Sequence, residues 1–72
     1  MSDIERMLTV VARAEALAET SPDWACTWLA NLLADFRPQF ATAAIRGDQR
    51  AFAAALTGLE LMVRRCLMAM SL

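Results

Sequence analysis

Seventy-two residues with seven arginines, eight acids and neither lysine nor histidine leave a net charge of −1, and 58% of the chain is hydrophobic. That balance lacks the basic patch of a nucleic-acid binder, and without histidine the commonest general base and metal ligand is missing. A lone domain of this size buries only about 60% of its unfolded surface, so fifteen small alanines point to closely approaching helices that complete their core by self-association or on a partner.

Ser2 and Glu5 have the spacing of a capping box, which predicts a first helix over about 3–19. Ile4, Met7, Leu8, Val11, Ala14, Leu17 and Ala18 fall on one arc, expected to be buried, and Glu5, Arg6, Thr9, Arg13 and Glu19 on the other. The acidic start reads as a helix start rather than a signal peptide, and the longest uncharged run, Ala51 to Leu59, falls short of a membrane span. A cytoplasmic protein without a membrane segment is expected. Cys26 and Cys66, on different predicted helices, are expected to be reduced core residues rather than a disulfide.

Ser21-Pro22-Asp23 predicts a second helix over about 22–36, with Ser21 as N-cap, Pro22 at the first helical position and an acid in the first turn. Asp23, Thr27, Asn31 and Asp35 recur every fourth residue as a solvent stripe, while Cys26, Trp28, Leu29, Leu32, Leu33 and Phe36 form the buried face. Trp24 lies at the edge of the polar stripe, where an indole is least expected. Pro38 removes an amide donor and disfavours helix at Arg37, which predicts a short third helix over about 38–46 or a single kinked rod. Phe40, Ala44 and Ile45 are expected to be buried there.

Gly47-Asp48 punctuates the chain, a glycine closing one helix and an aspartate capping the next. The last predicted helix, about 49–70, is long and apolar nearly all round. Phe52, Leu56, Leu59, Val63, Cys66 and Met70 line one stripe; Leu61, Met68 and Leu72 lie almost opposite, beside Ala54 and Gly58; Thr57, Glu60, Arg64 and Ser71 make a narrow polar line. The fold expected is all-α: one domain over 1–72, a bundle of three or four helices organised around this long C-terminal helix.

No catalytic constellation emerges. Glycine-rich phosphate loops and paired-cysteine metal spacings are absent, and Glu15, Glu19, Asp35 and Glu60 read as solvated or ion-paired helix residues. No cofactor or metal is expected. The run Ala43–Asp48 followed by a helix resembles the turn of a helix-turn-helix, which would offer Arg46, Gln49 and Arg50 to nucleic acid. The same alanine-rich hairpin resembles the helix pairs of tetratricopeptide-like arrays; a single such pair leaves one face unstacked and implies a face that seeks a partner. A non-enzymatic protein-interaction module follows: a small regulator, inhibitor, adaptor or chaperone-like subunit with a protein partner, self-associating as a dimer. Its interface is expected at Trp24, Trp28, Leu61, Arg65, Met68 and Leu72, with a small dimeric nucleic-acid-binding regulator as the alternative.

Overall fold

A computed structural model describes residues 2–71. Three helices follow one another, α1 (Asp3–Thr20), α2 (Asp23–Arg46) and α3 (Gln49–Met70), and the described residues contain no strand. Ser2 caps α1 as expected, its hydroxyl accepting from the Glu5 amide at 3.2 Å.

The α1–α2 corner differs by one residue from the predicted one. Pro22 is the N-cap, extended at φ −56° and ψ 157°, and helix begins at Asp23. Ser21, which the sequence assigns to the cap, sits extended before the proline, as a residue preceding proline prefers. Its hydroxyl donates backwards to the Leu17 carbonyl and so closes α1. The Pro22 carbonyl starts α2, accepting from the Ala25 and Cys26 amides at 3.0 Å each.

No separate helix begins at Pro38, because α2 runs through it for 24 residues. A mid-helix proline costs about 3 kcal/mol and strips the carbonyl four residues earlier of its donor. Here that carbonyl belongs to Ala34, and both Ala34 and Pro38 are exposed, so water can serve it. One residue on, the Gln39 side-chain amide donates to the Asp35 carbonyl at 3.2 Å. Leu29, Leu32 and Leu33 before the proline and Phe40 and Ala43 after it are buried in one core, and that continuous burial holds the helix together.

Gly47 takes the left-handed conformation (φ 65°) that lets the chain reverse in two residues. The Asp48 amide donates to the Ala43 carbonyl at 2.9 Å and the Gly47 amide to Ala44 at 3.2 Å, the paired bonds of a Schellman motif. The Asp48 carboxylate then accepts from the Ala51 amide at 3.0 Å and caps α3.

The helices run up, down and up. Ile4 lies beside Ala44 and Gly47, and Arg6 of α1 meets Glu60 of α3 at 2.6 Å. Between α2 and α3, Phe40 packs against Phe52 with centroids 5.1 Å apart and the ring planes tilted by 53°, while Phe36 lies over Gly58. Gly58 therefore faces α2 rather than the outward stripe where the sequence sets it. Among the described residues Leu29, Leu56 and Leu59 are the largest fully buried side chains, and none of the buried side chains is polar.

Two predicted faces are corrected. On α1 Val10 and Ala14 are buried and Met7, Val11, Leu17 and Ala18 pack half-buried against the core as expected, whereas Ile4 and Leu8 are 60% and 58% exposed. The helix touches α2 and α3 at once, and this turns its buried centre by roughly 60° from the arc of largest side chains. Near the end of α2 Phe40 is buried as expected, but Ala44 is exposed and Ile45 is 86% exposed. Ala43 has taken the inward position, and Ile45, two residues on, points nearly opposite.

Candidate functional site

The outward stripe of α3 carries Leu61, Arg65 and Met68 at positions i, i+4 and i+7, one face of a helix. Leu61 is 44% and Met68 63% exposed, and Arg65 is exposed between them. The stripe points away from the core because Leu59, Val63 and Cys66 point into it. Leu72 lies outside the described residues.

Trp24 and Trp28 stand one turn apart at the start of α2. Trp28 is half-buried against the core, while Trp24 is 53% exposed. With Phe36 level with Gly58 and about 1.5 Å of rise per residue, antiparallel running brings Trp24 and Trp28 to the same end of the bundle as Met68, with Leu61 about 10 Å further along. Apolar side chains thus project from two neighbouring helices at one end, with Arg65 beside them. Tryptophan, methionine and arginine are the residue types enriched at protein interfaces relative to the rest of a protein surface.

Arg46, Gln49 and Arg50 are exposed at the opposite corner, around the Gly47 turn. Asp48 lines the same shallow depression as Arg46. Because α2 and α3 pack side by side from Phe40–Phe52 to Phe36–Gly58, they form a tight antiparallel hairpin. A helix-turn-helix reader instead crosses its two helices at about 90–120° to present the second one.

One further surface escapes the sequence. Between α1 and α2 a groove of about 390 Å³ is lined by Ile4, Met7, Leu8 and Val11 on one side and Arg37, Phe40, Ala41 and Ala44 on the other, with Phe52 below. Its only charged lining residue is Arg37, which is ion-paired with Glu15 across the two helices. Reading Ile4 and Leu8 as core hid this groove; the available signal was the alternative phase that centres the helix on Val10 and Ala14.

Titratable chemistry is sparse. Cys26 and Cys66 are both free thiols, and burial pushes the Cys66 thiol pKa up. Among the described residues no three histidine, cysteine or acidic side chains gather as a metal site, and no helix is long and apolar enough to cross a membrane. Polar groups converge in a groove of about 350 Å³ between α1 and α3, where Arg6, Arg13 and Arg64 gather around Thr9 and Glu60, and Glu60 is ion-paired with Arg6. Comparison with protein-family models, with curated proteins and with solved structures finds no match to this chain.

Proposed function

We propose that the chain is a non-enzymatic protein–protein interaction module, a small regulator, inhibitor, adaptor or chaperone-like subunit. It works by docking the outward face of α3 and the adjoining Trp24 on another protein. The observation that supports this most is Leu61 and Met68 exposed on one stripe beside an exposed tryptophan, although the core beneath is already closed by Leu56, Leu59 and Val63. A partner helix laid on this stripe would bury Leu61 and Met68, Trp24 would fill a pocket, and Arg65 would meet an acid at the rim. Methionine suits such a surface because its flexible thioether conforms to the partner. We place the module in the cytoplasm, where two free thiols remain reduced.

Capture from a lysate of the source cells, comparing wild type with Leu61→Glu, tests the reading. Leu61 is exposed, so the variant keeps its helical circular-dichroism spectrum, and the captured protein should be lost. A folded variant that captures the same protein as wild type would show that Leu61 simply points into water.

A further inference from the structure

We propose that the groove between α1 and α2 is covered by a second copy of this chain, in a two-fold dimer that leaves the α3 face free. The proposal rests on the reading of exposed apolar helix faces as docking surfaces and assigns this one its occupant. Three observations carry it.

The first is surface in excess of what a monomer needs. The chain exposes 4946 Å², against about 4400 Å² for a compact monomer of 7.9 kDa. Its radius of gyration is 12.4 Å, against about 11 Å for a compact chain of this length. A stable pair needs about 800 Å² from each partner, and the groove exposes Ile4 and Leu8 on a lining whose only charged residue is Arg37.

The second is shape. The α1 side of the groove projects large residues, Ile4 and Leu8, while the α2 side offers small ones, Ala41 and Ala44. A two-fold axis in the interface, parallel to the helices, lays α1 of each copy along α2 of the other. Because α1 and α2 are antiparallel and residues keep their level under that rotation, Leu8 of one copy lies on Ala41 of its partner and Ile4 on Ala44. Large side chains on alanines let two helices approach closely, and every contact occurs twice, as isologous packing requires.

The third is charge. Glu15 and Arg37 form an exposed pair at the rim of the groove, the acid on α1 and the base on α2. The same rotation brings Glu15 of each copy to Arg37 of the other, making a ring of alternating sign. A partner with a uniformly acidic or basic rim would meet one of the two charges with its own sign.

Sedimentation velocity at micromolar protein tests the dimer. Wild type should sediment at twice 7.9 kDa, and Leu8→Glu at the monomer mass with its helical spectrum intact. Ala41→Arg, at an exposed site on the other helix, gives the same reading with α1 unaltered, so a folding defect in one variant leaves the other decisive. Arg37→Glu and Glu15→Arg should each dimerise several-fold more weakly alone and regain dimer on equimolar mixing, because of the variant pairings only the mixed one has opposite charges at both contacts. A monomeric wild type, a dimer that persists in both Leu8→Glu and Ala41→Arg, or mixing without recovery would overturn the proposal. So would a dimer lost in Leu61→Glu, which would put the second copy on α3. Partner capture by the Leu8→Glu monomer separates failure of this proposal from failure of the α3 reading.

Discussion

Gly58 is the residue whose role depends most on a neighbour far along the chain. A Cβ built there would stand 3.2 and 3.3 Å from the Phe36 ring, tighter than ordinary contact, so the glycine lets α2 and α3 close up. Gly58→Ala gains about 1 kcal/mol of helix propensity, and Phe36, only half-buried, can yield by a few tenths of an ångström. The two effects should leave the thermal midpoint nearly unchanged. Gly58→Leu, which cannot be accommodated that way, should lower stability by roughly 1–3 kcal/mol. Cys66 gives a second test at this scale. Its thiol is buried and its pKa raised by that burial, so folding favours the neutral form. The associated stability is fully present below the unfolded thiol's pKa and is lost as pH rises through the folded one. Alkaline pH should therefore destabilise wild type more than Cys66→Ala, and thiol labelling of Cys66 should be slow until denaturant is added.

At the scale of the element, α2 carries the clearest conflict between local chemistry and packing. Pro38 lies in its exposed middle, where it removes one backbone hydrogen bond and adds nothing to the core. Pro38→Ala should raise stability by roughly 1–2 kcal/mol, the helix-interior penalty of about 3 kcal/mol being offset in part by the unfolded-state entropy that proline restrains. A denaturant midpoint that falls instead would mean that the proline sets a bend the core requires. The helix starts and stops at Ser2, Gly47 and Asp48 were legible because caps are local chemistry: a hydroxyl, a left-handed glycine and a carboxylate act on amides within three or four residues. Continuity through Pro38 was not, since burial of Leu33 and Phe40 in a common core is a property of the folded whole. Helix phase was legible on α3, where a strong stripe from Phe52 to Cys66 leaves little choice. On α1, Val10 and Ala14 take the inward line and Met7 and Leu17 pack against the core, but Ile4 and Leu8 stay out, and there side-chain size misled. The exposure of Trp24, Leu61 and Met68 could be anticipated from their offset to that α3 stripe and the α2 polar line; the α1–α2 groove could not.

For the whole molecule, a chain of 72 residues is expected to hold about 4–11 kcal/mol of stability at roughly 0.05–0.15 kcal/mol per residue. Leu29→Ala, at a fully buried site, should remove about 2–5 kcal/mol of it and lower the denaturant midpoint by a large fraction of its wild-type value. The inter-helix ion pairs contribute far less. Arg6–Glu60 is partly exposed, and such pairs give about 0–1 kcal/mol, so Glu60→Gln should shift the melting midpoint only slightly and less still at high salt. Burial holds the fold together, and it leaves a surplus of apolar surface at Ile4, Leu8, Trp24, Ile45, Leu61 and Met68.

That surplus is tested most directly by native mass spectrometry of the tagged chain purified from its own cells under reducing conditions. The account predicts two copies of the chain with a further protein bound, the dimer lost in Leu8→Glu and the bound protein lost in Leu61→Glu. A free 7.9 kDa monomer as the sole species, unchanged by either substitution, would contradict it.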